Sequence, residues 1–141
     1  MIIRNASVFT EDCNFVDKDI YIANGCFSSE TDARKDGRLF DASGCYAIPG
    51  LTDIHFHGCM GYDFSDGTME ALDNLASYEA TAGVTNIVPA TMTLSKDTLL
   101  NICHTAKNYA ERRHDRRKAR FQGINLEGPF ISEKKRGAQN S

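Results

Sequence analysis

Apolar positions in the first third of the chain come in short clusters separated by polar turns. Ile2, Ile3, Val8 and Phe9 sit around Arg4-Asn5, and Phe15-Val16 leads into a turn. Asp19-Ile20-Tyr21-Ile22-Ala23 is a predicted strand. Asn24-Gly25 follows it, a pair that readily takes the positive φ angles of a type I′ turn, and Cys26-Phe27 opens the return strand. After the polar stretch 28–38, Leu39-Phe40-Asp41-Ala42 and Cys45-Tyr46-Ala47-Ile48 flank Ser43-Gly44, and Pro49-Gly50 closes the segment. Residues 1–49 therefore read as a small antiparallel β-module. It is expected to be a β-sandwich, but these few strands make a thin layer that further C-terminal strands would have to complete.

The pattern changes at Gly50. Leu51-Thr52-Asp53-Ile54-His55-Phe56-His57 reads as a strand running into the glycine-rich loop Gly58-Cys59-Met60-Gly61. From Thr68, a plausible N-cap, a helical period brings Leu72, Leu75, Ala76 and Glu79 to one side, and Gly83 ends it as a C′ glycine does. Residues 84–90 form an apolar, β-branched strand. Ser95 opens a second helix, with Asp97 in its first turn and Leu99, Ile102, Cys103, Ala106 and Ala110 as its apolar face. Phe121 to Phe130 is the third strand. This β-α-β-α-β order belongs to parallel sheets with helical crossovers. The predicted fold class is α/β. Residues 50–141 supply the first three strands and two helices of a (β/α)8 barrel, fewer than half the units such a barrel needs.

Composition narrows the partners. Of 141 residues, 41% are hydrophobic and 25% charged, the balance of a globular protein and not of a disordered one. A net charge of −3 gives no reason to expect a nucleic acid partner. No stretch reaches transmembrane length, and the N-terminus lacks the apolar run of a signal peptide. The five cysteines are scattered and odd in number, without CxxC spacing, which argues against a disulfide framework or a structural zinc module. A reduced cytoplasmic location, away from membranes, is the expectation.

Two features carry chemistry. His55 and His57 are two apart on a predicted strand, so both imidazoles project from one face, at the strand end where barrel active sites are built. Such a pair suits a borderline cation such as zinc, although an isolated HxH is also often just a solvated edge pair. Glu127 ends the apolar run Gly123-Ile124-Asn125-Leu126, just before Gly128-Pro129. A carboxylate there is costly to bury unless it is paired or bound to a cation, and the plain alternative is a solvated strand-end glutamate. On the third strand it would face the same mouth as the histidines.

A resemblance weighs these features. Asp41-Ala42-Ser43-Gly44 followed by Ile48-Pro49-Gly50-Leu51-Thr52-Asp53-Ile54-His55-Phe56-His57-Gly58 resembles the signature of the amidohydrolase superfamily. More narrowly, Asn125-Leu126-Glu127-Gly128-Pro129-Phe130-Ile131-Ser132 is similar to N-acetylglucosamine-6-phosphate deacetylases. So are Lys134-Lys135-Arg136-Gly137-Ala138-Gln139-Asn140 and the loop 58–64. The resemblance covers essentially the whole chain but only the first part of such an enzyme. It implies a metal-dependent hydrolase that converts N-acetylglucosamine 6-phosphate to glucosamine 6-phosphate and acetate in amino-sugar catabolism. Glu127 matches the family's metal-binding glutamate, and His55 and His57 match a pair that holds a second metal in members retaining both. One or two divalent ions are implied, zinc first and iron as the alternative. Ala138 and Gln139 match the loop that contacts the amino sugar; many members carry histidine where Gln139 stands. Cys59 is a candidate for the substrate pocket, with a tight-loop role as the equal alternative. The general-base aspartate and two further histidine ligands are expected downstream of Ser141, so the chain is expected to be truncated and inactive alone.

Other readings stay open. Another amidohydrolase, dihydroorotase-like or isoaspartyl-dipeptidase-like, fits the HxH signature, although 126–129 argues against it. A non-catalytic binding fragment that pairs its open sheet edge with a partner is the reading from a different class. A homodimer is expected as one way to cover such an edge. The mixed-sign run from Glu111 to Lys118 reads as a solvated helix end, His104 as a surface residue, and Asp63 and Asp66 as acids that cap or solvate the first helix.

Overall fold

The structure, a computed structural model, describes residues 1–139. Asn140, the last residue of the deacetylase-like stretch, and Ser141, the end of the predicted second region, lie outside the described residues. The fold is mixed α/β, and the chain divides into two compact units at Pro49–Gly50.

The first unit is built on one sheet. Strand β1 (Ile2–Phe9) pairs antiparallel with β2 (Phe15–Ala23), which pairs antiparallel with β3 (Cys26–Phe27). The β2–β3 turn is the expected one: Asn24 and Gly25 both have positive φ, 54° and 79°. Two expectations are corrected. Phe15-Val16 lies within β2, because the chain reverses earlier, where the Thr10 amide donates to Asn14 O at 2.8 Å and Cys13 takes φ 58°. The unit is also not purely antiparallel: β4 (Leu39–Asp41) and β5 (Tyr46–Ala47) both run parallel to β1. Parallel pairing needs a longer connection than a hairpin turn. Part of that connection is the helix α1 (Glu30–Arg34), inside the stretch read only as polar. Ser29 caps it, and an exposed Arg34–Glu30 ion pair spans it.

In the second unit β6 (Leu51–Asp53), β9 (Val84–Ile87) and β10 (Arg120–Phe121) form a parallel sheet in the order β10-β9-β6. Between β6 and β9 lie the hairpin β7 (Gly58–Cys59) and β8 (Tyr62–Asp63), and helix α2 (Met69–Thr81). Helix α3 (Lys96–Ala110) connects β9 to β10. The caps are the expected ones. Thr68 accepts from the Ala71 amide, Ser95 accepts from the Thr98 amide, and Gly83 follows α2 with φ 85°. Asp63 and Asp66 form a capping box, but on the short 3-10 turn Phe64–Asp66 instead of on α2.

The strands are shorter than the apolar runs that announce them. Regular pairing stops at Asp53 and Phe121, yet the parallel course continues. The Ala90 amide donates to Phe56 O at 2.8 Å, and the Thr91 amide donates to Asn125 O at 3.0 Å. Leu72, Leu75, Leu99, Ile102 and Ala106 from the two helices enclose Phe64 in one core cluster, with Phe121, Ile124 and Tyr109 packed against it. Each such large side chain contributes roughly 1.5–3 kcal/mol on burial. Ala110 is exposed, contrary to its place on the expected apolar face of α3, and Tyr109 supplies the contact by stacking edge-on against Phe121 at 6.0 Å. Burial, and then the negative charge of Asp73, pushes the Tyr109 hydroxyl well above its ordinary value. The run from Glu111 onward lies beyond the helix. Within it Arg112 and Lys118 pair with Asp73, and Arg117 pairs with Asp115. Among the described residues no helix is long and apolar enough to cross a membrane.

Candidate metal centre

Both histidines and the glutamate lie just beyond the C-terminal ends of the parallel strands, where the backbone has left the regular ladder. The Asp53 carboxylate accepts from the His55 amide at 2.9 Å, which turns the chain out of β6. Residues 54–57 still run alongside the extension of β9, so His55 and His57 follow β6 while Glu127 follows β10. Glu127 Oε2 lies 3.2 Å from His55 Nε2 and 3.2 Å from His57 Nε2. The two rings stand nearly perpendicular, 84° apart with centroids at 5.2 Å. Side-chain exposure of 50% for His55 against about a third for the other two leaves the cluster open on the His55 side.

The donor set fits a divalent cation. One ligand atom from each residue lies within 4.8 Å of the others. An ion with bonds of about 2.0–2.2 Å to tetrahedral N and O ligands holds neighbouring ligand atoms roughly 3.3–3.6 Å apart, slightly more than the two 3.2 Å separations here. Two imidazoles and a carboxylate are also the ligand chemistry that borderline ions favour.

The outer contacts were less visible in the sequence. His57 Nδ1 faces Ala90 O at 3.2 Å. Asn125 Nδ2 donates to Ile54 O at 2.8 Å and lies 3.2 Å from His55 Nδ1. Asn125 shows in the sequence as a polar residue between Ile124 and Leu126 that opens the deacetylase-like stretch, with nothing to mark its contact to His55; Ala90 acts through its backbone and gives no signal. Thr93 Oγ1 donates to Glu127 O at 3.3 Å. A Cβ on Gly128 would overlap that hydroxyl, and Gly128 has φ 84°, so glycine allows both the turn and the close approach after Glu127.

The other candidate residues are placed differently. Gln139 is buried: its Oε1 accepts from the Thr93 amide at 2.8 Å, and its Nε2 lies 3.8 Å from Met92 Sδ. It thereby ties the loop after Glu127 to the chain following β9. Ala138 beside it is exposed. Cys59 is half-buried against the Phe64–Leu72 core; burial, then the charge of Glu79, pushes its thiol up. His104 is exposed on α3.

Fold and site together define a mixed α/β protein with a His–His–Glu cluster at the C-terminal ends of parallel strands. No family model matches the chain. Its curated relatives are N-acetylglucosamine-6-phosphate deacetylases. The Vibrio furnissii enzyme is 38% identical over 92 residues, 64% of this chain and 22% of that protein. The Lysinibacillus sphaericus enzyme is 28% identical over 99% of this chain and 36% of its own length. Solved structures agree on the fold. The N-acetylglucosamine-6-phosphate deacetylase from Pasteurella multocida matches 99% of this chain and 37% of its own with a TM-score of 0.86 at 19% identity. A mutant of the Mycobacterium smegmatis deacetylase, in complex with N-acetyl-D-glucosamine-6-phosphate, matches 94% of this chain and 33% of its own with a TM-score of 0.63 at 22% identity. The chain thus spans between a fifth and two fifths of the length of the relatives it matches.

Proposed function

We propose that the protein carrying this chain hydrolyses the acetamide of N-acetylglucosamine 6-phosphate, releasing acetate and glucosamine 6-phosphate. The observation that carries the reading is the convergence of two imidazole Nε2 atoms on one oxygen of Glu127, in a chain whose relatives are deacetylases. In this reading β6, β9 and β10, with their extensions, are the first three strands of a (β/α)8 barrel, and residues 50–141 are the start of its domain. The sheet of residues 1–49 is one layer of a small β-sandwich finished by strands from elsewhere in the longer protein.

Glu127, His57 and His55 would hold the ion, zinc first and iron as the alternative, since two imidazoles and a carboxylate suit borderline divalent ions. Such an ion acts as a Lewis acid that polarises a carbonyl and makes water acidic enough to attack at neutral pH. The chain's own residues orient. Thr93 and Gly128 fix the backbone that presents Glu127, and Ala90 fixes the ring of His57. Gln139 spends its carbonyl on the Thr93 amide and one amide hydrogen on Met92 Sδ, leaving the other for a sugar hydroxyl, with Ala138 at its side leaving room; Cys59 would shape the pocket floor. The general base, an aspartate in the resemblance, would come from outside this chain, as would the remaining ligands. A cytoplasmic homodimer acting on a small phosphorylated amino sugar completes the reading. Acetate release from N-acetylglucosamine 6-phosphate by the full-length protein tests it. Hydrolysis should be abolished by chelation and restored by zinc, and a zinc-loaded protein that releases no acetate would sink the reading.

A further inference from the structure

The loop from α3 into β10 lies at the end of the parallel sheet opposite the His–His–Glu cluster. It carries Arg112, Arg113, Arg116, Arg117, Lys118 and Arg120 against a single acid, Asp115, in a chain whose net charge is −3. A merely solvated run would leave all these cations in water, but the structure sorts them into two groups. Arg112 Nη1 lies 3.7 Å and Lys118 Nζ 3.1 Å from Asp73 Oδ1 on α2. The Arg112 guanidinium also sits over the Tyr109 ring, 5.5 Å from its centre. Arg117 grips Asp115 with both arms, Nε to Oδ1 at 3.1 Å and Nη2 to Oδ2 at 2.9 Å. The amide of buried Ala119 donates to Ala76 O at 2.9 Å. The loop is thereby pinned to α2, and both nearby carboxylates are spent.

Arg113, Arg116 and Arg120 have no carboxylate partner among the described residues. All three line one hollow together with His114 and Asp115. Arg113 and Arg120 also line an adjoining cleft of about 440 Å3, with Tyr109, Phe121 and Gln122. That volume is in the range of small-molecule sites. Three like charges around one hollow repel one another, and a bound anion reverses the sign of that interaction. Guanidinium forks match phosphate oxygens two by two. Three uncompensated cations outnumber what a single phosphoryl group takes up. A single-stranded nucleic acid would need free aromatic faces for its bases, whereas Tyr109 is half-buried and covered by Arg112.

We infer that Arg113, Arg116 and Arg120 form a binding site for a diphosphate group, either free as pyrophosphate or carried on a small molecule such as a nucleotide. Asp73 and Asp115 act as anchors: they hold Arg112, Lys118 and Arg117 in place and so set the loop on which the three free guanidiniums stand.

The test is calorimetric titration of the full-length protein with pyrophosphate and, separately, with adenosine diphosphate, after dialysis against chelator so that no bound ion competes for the ligand. Saturable binding of pyrophosphate at physiological salt is expected, weakened about tenfold or more by Arg116→Ala and lost in the Arg113→Ala, Arg116→Ala, Arg120→Ala triple variant. Lys107→Ala, which removes an exposed cation of α3 outside the hollow, should leave it unchanged. All four positions are exposed, and circular dichroism checks that the variants keep their fold. Equal affinity for the two ligands assigns the site to the diphosphate alone, and tighter binding of adenosine diphosphate assigns it to a nucleotide; both bear the inference out. No binding by the unaltered protein, binding undiminished in the triple variant, or an RNA oligonucleotide bound more than tenfold tighter than either ligand would overturn it.

Discussion

The two units use the same kinds of side chain in opposite ways. The second encloses Phe64, Leu72, Leu75 and Ile102 almost completely between two helices and a parallel sheet. The first leaves Phe15, Phe27, Phe40 and Tyr46 about half exposed or more. Its aromatics still find one another: Phe15 stacks edge-on against Phe9 on the neighbouring β1 at 5.3 Å, and against Tyr46 on β5, beyond β1, at 5.0 Å. A sheet with helices over it makes a core, whereas a sheet alone makes ladders of cross-strand pairs. The contrast shows where stability and where an open surface reside.

The largest effect should come from the enclosed side. Leu75→Ala leaves a cavity with no route for collapse and is expected to cost about 2–5 kcal/mol in denaturant unfolding of the protein carrying this chain. Phe15→Ala removes two edge-on pairs at a half-exposed site, and the expected cost is smaller, about 1–2 kcal/mol. A Phe15 cost of about 3–5 kcal/mol would mean that further parts of the protein cover this sheet, as the proposed second layer requires.

A smaller effect separates the units by pH. Glu79 is buried on α2, and burial first, then the negative charge of Asp53, pushes its carboxyl above the ordinary glutamate range. A raised acid favours its protonated form in the fold. Its contribution to stability is therefore fully present below the ordinary value and is lost as pH rises through the raised one. Glu79→Gln should stabilise the protein by about 1 kcal/mol at pH 8 and by little at pH 4. Thermal unfolding at the two pH values checks this, and equal shifts at both would remove burial as the cause.

Much of the second unit was legible because its signals are local. Thr68, Ser95 and Gly83 mark helix ends through bonds made within one turn, and the buried face of α2 follows the 3.6-residue period. The strands misled where tertiary contacts took over. Asp53 bends the chain at His55, so an apolar run that promised a strand through His57 holds regular pairing only to Asp53. In the first unit, short apolar clusters between polar turns signalled strands but not their direction; β4 and β5 lie parallel to β1 through contacts 30 or more residues away, which no local pattern encodes. The helix α1, five polar-rich residues, was too short to show a face. At the site, the ligand-type residues stood out by their chemistry and spacing. Their supports did not: a backbone carbonyl at Ala90 and an amide at Asn125 matter only once the strands are side by side.

The central claim is that Glu127 and the histidine pair form a cation site. Zinc content after exhaustive dialysis, compared between the full-length protein and its Glu127→Gln variant, tests it most directly. The expected result is zinc retained by the unaltered protein and lost from the variant, with the circular dichroism of the two unchanged. A folded Glu127→Gln protein that keeps its full zinc content would contradict the claim.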